Sequence, residues 1–163
     1  MQFLIKKAQR GDPEAFVELM EACKTSLYRV ARGYFSNDAD IADVMAETVL
    51  LAYEHLSELK KERYFKTWLI RILINVCNKT KQKQKRCEPV EIVPELPYLE
   101  RSFSNLEFRE MLSSFPEDCQ IILLLYYGEQ FTVREIAEIL GLKENTVKSK
   151  LQRTRERLRK EIL

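Results

Sequence analysis

Three prolines, Pro89, Pro94 and Pro97, interrupt the stretch CEPVEIVPELPYLERSF at spacings that no helix accommodates. Each removes a backbone donor and fixes φ, so this stretch is expected to be extended and mobile. On both sides of it nearly every segment repeats its apolar residues with helical period. Alternating strand patterns are absent apart from short ambiguous runs such as QIILLLYY. The four glycines, Gly11, Gly33, Gly128 and Gly141, fall at plausible breaks. The expected fold class is therefore all-α: two small helical domains, residues 1–86 and 104–163, joined by a proline-broken acidic linker over 87–103.

Composition limits what such a plan can do. A chain of 163 residues, 45% hydrophobic and 32% charged, can bury one core or two small ones. Two domains of about 70 residues would each be marginal alone. No apolar run approaches the roughly 20 residues that span a bilayer. The start, MQFLIKKAQRGDPEAF, also lacks the apolar region and cleavage site of a signal peptide. The expectation is a cytoplasmic protein with no membrane insertion of its own. Cys23, Cys77, Cys87 and Cys119 lie far apart without a C-x-x-C pair, and His55 has no nearby ligand partner, so no metal and no cofactor are expected. Free, mostly buried thiols are the better reading. With no nucleophile and base pair and no phosphate loop, enzymatic activity is not expected.

The net charge of +2 conceals a sorting into blocks. Ser36 to Leu59 holds six acidic residues and no Lys or Arg, whereas Lys60 to Arg86 holds ten basic residues against Glu62 alone. Cys87 to Gln120 is again acidic, eight to two, and Leu142 to Lys160 basic, eight to two. Asymmetry of this kind concerns partners, not fold. Two basic blocks imply two contacts with one polyanion.

Asp12, Pro13 and Glu14 read as an N-cap, a first-turn proline and an acidic first turn, opening a helix toward Gly33 that buries Phe16, Leu19, Met20, Cys23, Leu27 and Val30. A second helix is expected over roughly Asp38 to Leu56 and a third over Phe65 to Arg86. Near the C-terminus, Thr132 and Glu135 form a capping box before a short helix burying Ile136, Ala137 and Leu140. Gly141 then turns the chain into a helix with Val147, Leu151, Thr154 and Leu158 on one face. Asn145, Ser149, Gln152 and Arg153 occupy the other, with Thr146 and Lys148 at its flank. Helix, glycine turn and helix, with hydrogen-bonding residues early on the outer face, is what brings side chains to base edges in the major groove. Lys148, Lys150, Arg155, Arg157 and Arg159 would neutralise phosphates, which positions without specifying.

In the second helix Ile41, Val44, Met45, Thr48, Leu51 and Ala52 can face the core. Asp40, Asp43, Glu47, Leu50 and Glu54 line the opposite side. A leucine among four carboxylates either is an ordinary exposed side chain or is covered by a basic, partly apolar partner. In the third helix, Thr67, Asn75, Asn78, Gln82 and Lys85 fall within about 40° of Arg71 at 100° per residue, leaving Leu69, Ile72, Leu73 and Val76 for the core. Tyr64, Phe65 and Trp68 gather at its start, with Lys66 between them and Lys79 to Arg86 beyond. Aromatics beside a basic groove suit single-stranded nucleic acid. Trp68 reads more readily as core than as a stacking platform.

The segment FPEDCQIILLLYYGEQFTVREIAEILGLKENTVKSKLQRTRERLRK resembles the C-terminal DNA-binding domain of bacterial sigma factors of the extracytoplasmic function (ECF) class. GDPEAF, DADIADVMAETVLLAY and FKTWLIRILINVCNKTKQKQKR follow in the order found in the same class, so the likeness covers nearly the whole chain. It implies an alternative sigma factor whose first domain docks on core RNA polymerase through Asp40, Asp43, Glu47, Leu50 and Glu54. The same domain would recognise and melt the minus ten element through Tyr64, Lys66, Thr67, Arg71, Asn75, Asn78, Lys79 and Lys81. The second would read the minus thirty-five element through Thr146, Lys148, Ser149, Lys150, Gln152, Arg153 and Arg155. Ala46 stands where the class usually has glutamine, and Lys79 where aspartate is common. Expected partners are core polymerase, promoter DNA and an anti-sigma factor, with the chain monomeric when bound to polymerase. The linker's acidity resembles that of the class, in which this segment threads toward the RNA channel. Two other classes are open to the residues alone: a helix-turn-helix regulator binding duplex operator without polymerase, and a helical adaptor.

Overall fold

The structure, a computed structural model, describes residues 1–87 and 113–162. Beyond Cys87, the linker expected over 87–103 lies outside the described residues. Among the described residues there are seven α-helices and no strand. The chain divides into two compact units: the described residues of one are 1–31 and 37–87, and those of the other 32–36 and 113–162.

The first unit begins with α1 (Gln2–Gln9), a helix with no counterpart in the sequence reading, which buries Ile5. Gly11, at φ 93°, turns the chain out of it, with the Asp12 N–H closing on Lys7 O at 3.2 Å. Asp12 then caps α2 (Pro13–Arg32): its Oδ1 accepts from the N–H groups of Glu14 at 3.0 Å and Ala15 at 3.1 Å. All six residues expected in the α2 core are buried, together with Ala15 and Ala31. In α3 (Asp38–His55), capped by Asn37, the buried face is Ile41, Val44, Thr48 and Ala52. Met45 and Leu51, expected beside them, are half-buried. Thr48 is accommodated because its hydroxyl donates to Val44 O at 2.7 Å, leaving no polar atom unpaired.

Two short 3₁₀ turns, Leu56–Glu58 and Glu62–Tyr64, lead into α4 (Phe65–Cys87), which packs against α3. Its core arc runs, measured from Arg71, from Val76 near about 140° through Leu69, Leu73, Cys77 and Ile70 to Ile74 near about 300°. Ile72, expected inside, lies at about 100° and is half-buried. The basic run Lys79 to Arg86 continues the helix without a break. Lys and Gln are good helix formers, and Lys85 and Arg86 in the last turn favour the helix dipole.

In the second unit, QIILLLYY resolves as helix. It supplies most of α5 (Glu117–Leu123) and runs into a π-helical turn over Leu124–Gly128. The capping box is present: Glu135 N–H donates to Thr132 Oγ1 at 3.2 Å and Thr132 N–H to Glu135 Oε2 at 2.8 Å. It opens α6 (Val133–Leu140), which buries Ile136, Ala137 and Ile139, whereas Leu140, expected in the core, is half-buried. Gly141 sits at φ 66°, and the Leu142 N–H returns to Ala137 O at 3.0 Å, ending α6 before α7 (Glu144–Ile162). On α7, Val147, Leu151 and Thr154 are buried and Leu158 is half-buried.

Gln130 is the one described non-glycine residue at positive φ, 58°. A side chain in this region costs about 1–2 kcal/mol, partly offset by the greater freedom of glycine in the unfolded chain. Gln130→Gly is therefore expected to stabilise the second unit by about 0.5–1 kcal/mol. Denaturant titration of the full chain measures this as a raised midpoint for that unit.

Candidate nucleic-acid and protein interfaces

On α7, the side opposite Val147 and Leu151 carries exposed Asn145, Lys148, Ser149, Gln152 and Arg153, with Thr146 half-buried at its edge. Asn145, Thr146, Ser149, Lys150 and Arg153 line a shallow open depression. The Ser149 hydroxyl donates back to Asn145 O at 2.8 Å, while Gln152 reaches Glu156 at 3.0 Å. Three of the residues expected to neutralise phosphates already have protein partners. Lys150 is paired with Asp118 of α5. Arg155 donates from Nε to the Tyr127 hydroxyl at 2.8 Å and lies 5.3 Å from the Tyr126 ring centroid and 5.7 Å from that of Tyr127. Arg157 is held likewise, over the Phe115 ring at 4.8 Å and bonded to Ser114 and Glu161. Sequence reasoning missed these pairings because most of the partners lie 28 to 43 residues away.

The acidic face of α3 is as expected: Asp43, Glu47, Leu50 and Glu54 are exposed and Asp40 is half-buried. Leu50 is 64% exposed, and it has an apolar neighbour the sequence reading passed over. Tyr53, one turn on and 62% exposed, sets its ring edge against Phe16 at 5.1 Å. Its signal was the i, i+3 step from Leu50. Together they form an apolar strip flanked by carboxylates.

The polar stripe of α4 is present from Arg71 onward: Arg71, Asn75, Asn78, Lys79, Gln82 and Lys85 are exposed, and Lys81 is half-buried. Thr67 departs from the expectation. It is only 6% exposed, because its angular position adjoins that of buried Ile74 and the helix start is enclosed by the Glu62–Tyr64 turn, which packs on α1. Thr67 is core, and the stripe begins one turn later. The three aromatics sort themselves: Phe65 is buried, Trp68 is half-buried 5.9 Å from the Phe65 ring, and Tyr64 is 36% exposed with the Arg63 guanidinium 4.7 Å over it. Lys66 is exposed beside them.

Burial pushes the pKa of the Cys77 thiol up to about 12 and raises Cys23 and Cys119 as well, while Cys87 is exposed. Among the described residues no group of His, Cys, Asp or Glu could hold a metal ion, and no helix is long and apolar enough to cross a membrane.

Residues 19–87 match the family model for Sigma-70 region 2 and residues 105–158 that for Sigma-70, region 4. The chain is 25% identical to the ECF RNA polymerase sigma factor SigW of Bacillus subtilis, over 97% of this chain and 94% of that protein. Two solved structures share its fold at 22% identity. One is CnrH in complex with the cytosolic domain of CnrY, with a TM-score of 0.74, covering 99% of this chain and 96% of that one. The other is the sigma factor RpoE of Bartonella quintana in complex with the anti-sigma factor NepR, with a TM-score of 0.72, covering 89% and 94%.

The hydrogen bond from Lys150 holds the Asp118 carboxyl below the usual carboxylate range. A depressed carboxylate stabilises the folded chain fully above its unfolded-state pKa of about 3.9, and the contribution is lost as pH falls through the folded value. Asp118 is half exposed and so screened, which limits the pair to about 0.2–1 kcal/mol. Asp118→Asn should be less stable than wild type by that amount at pH 7, with the difference vanishing at pH values below the depressed pKa. Parallel denaturant titrations across pH measure it.

Proposed function

The chain belongs to the ECF class of the sigma-70 family, and from that membership we infer that it is an alternative sigma factor, binding core RNA polymerase and directing promoter-specific transcription initiation. The observation that carries this reading over a lone helix-turn-helix regulator is the first unit. There, one packed pair of helices presents an acidic, partly apolar face on α3 and a polar-basic stripe on α4. A duplex-binding regulator has no use for either.

We assign Asp40, Asp43, Glu47, Leu50 and Glu54, with Tyr53 added, to docking on polymerase. Carboxylates around an apolar strip suit a basic, partly apolar surface, with charge steering the encounter and the strip supplying buried area. Tyr64, Lys66, Arg71, Asn75, Asn78, Lys79 and Lys81 are assigned to the minus ten element. An exposed aromatic flanked by cations can hold an unpaired base while the helix tracks the backbone. Thr146, Lys148, Ser149, Gln152 and Arg153 are assigned to the minus thirty-five box by major-groove contact. In this role the chain acts in the cytoplasm, as a monomer on polymerase, without catalysis of its own. The partner of RpoE in its solved complex supports an anti-sigma factor as this chain's inhibitor.

Two measurements test the assignment. Glu47→Lys reverses a charge at the centre of the acidic face and should weaken binding to purified core polymerase, read by titration of labelled protein; undiminished binding would put docking elsewhere. Arg153→Ala should reduce affinity of the reconstituted holoenzyme for the upstream element by about 1–3 kcal/mol if the guanidinium contacts a base edge. Gel-shift titration on promoters with and without that element reads the loss.

A further inference from the structure

Gln9, the last residue of α1, reaches across the first unit to the connection between α3 and α4. Its Nε2 donates to Leu56 O at 3.0 Å and to Leu59 O at 2.9 Å, which uses both hydrogens of the amide. These carbonyls bracket Ser57 and Glu58, at the point where the first 3₁₀ turn gives way to irregular backbone over Leu59–Lys61. Lys6, three residues earlier on α1, adds a looser tie to Glu62 at 3.9 Å. The segment so fastened carries Lys60, Lys61, Arg63 and Tyr64, all exposed, and delivers the chain into α4 two turns before Arg71. Leu56 O also accepts the Leu59 N–H at 3.2 Å, so the carboxamide reinforces a turn the backbone already closes and ties it to Leu59 O, on the irregular backbone just beyond.

We propose that Gln9 is a positioning residue for single-strand capture. By holding Leu56 and Leu59 it sets the course of the 59–64 segment, so that Tyr64, Arg63 and the two lysines stand beside the Arg71 and Asn75 stripe before DNA arrives. Gln9 touches no nucleotide and acts through the backbone it holds. The proposal rests on the assignment of α4 to the minus ten element.

The test uses full-length chain assembled with core polymerase. The probe is a fluorescently labelled single-stranded oligonucleotide carrying the nontemplate minus ten region of a promoter the holoenzyme transcribes. Gln9→Met keeps length and volume but has no donor, and should weaken strand binding about 3- to 10-fold, as expected for two lost hydrogen bonds. Polymerase assembly and binding to an isolated duplex upstream element should be unchanged. Gln9→Lys, which returns a donor of similar reach, should recover most of the affinity. Gln9→Glu keeps the shape but sets a carboxylate against both carbonyls, so it should weaken strand binding at least as much as Gln9→Met, and it serves if the methionine variant folds poorly. A role confined to stability would lower the melting temperature of the variants and leave strand affinity of the folded holoenzyme at the wild-type value; that result overturns the proposal. Asn75→Ala separates the two levels. If it weakens strand binding while Gln9→Met and Gln9→Glu do not, only the role of Gln9 fails. If neither substitution matters, the assignment of α4 fails and this inference with it.

Discussion

The first unit depends on the seam between α3 and α4. Ile41, Val44, Thr48 and Ala52 on one helix and Leu69, Leu73, Val76 and Cys77 on the other are buried, and the helices pack against one another. Burying these side chains is favourable at about 25 cal/mol per Å² of apolar surface, which no surface charge arrangement approaches. Once that seam is closed, the positions of all other residues on the two helices follow from the turn of 3.6 residues. The acidic face of α3 and the basic stripe of α4 are what remains after the core has taken its share. Two opposite electrostatic characters can therefore coexist on adjacent helices of a unit this small.

Much of this was legible from residue order, and the reasons differ by element. Asp12–Pro13–Glu14, the Thr132 and Glu135 box and Gly141 are local devices whose chemistry is complete within a few residues, so each caps or ends its helix where the pattern placed it. Helix faces were legible wherever the core arc was wide and regular, as in α2. Legibility failed where a third element decided the outcome. Thr67 shares the angular position of solvated Lys85 but sits under the turn preceding α4. Ile72 and Ile74, two residues apart, exchange their expected prominence because the buried arc is rotated toward Ile74. Helix α1 buries only Ile5 and gave too little periodicity to register. The partners of Lys150, Arg155 and Arg157 were illegible for a different reason: tertiary pairing over some thirty to forty residues leaves no mark on spacing.

The continuity of α4 through its basic end also matters. A flexible lysine-rich tail would place charge near a strand without register. As helix, residues 71 to 85 form one ruled edge of about 21 Å on which each polar side chain keeps a fixed height and azimuth. A strand laid along it meets groups in a set order.

The internally held cations of the second unit carry a consequence of a different kind. Long basic side chains in solution sample many rotamers, and fixing one against a ligand costs about 1.5–2 kcal/mol of conformational entropy. Arg155 between two tyrosines, Arg157 over Phe115 and Lys150 on Asp118 have surrendered much of that freedom when the domain folds. On the proposed reading, part of the surface that α7 would bring to a duplex is therefore already shaped, and the ordering of these three side chains would be charged to folding instead of to recognition.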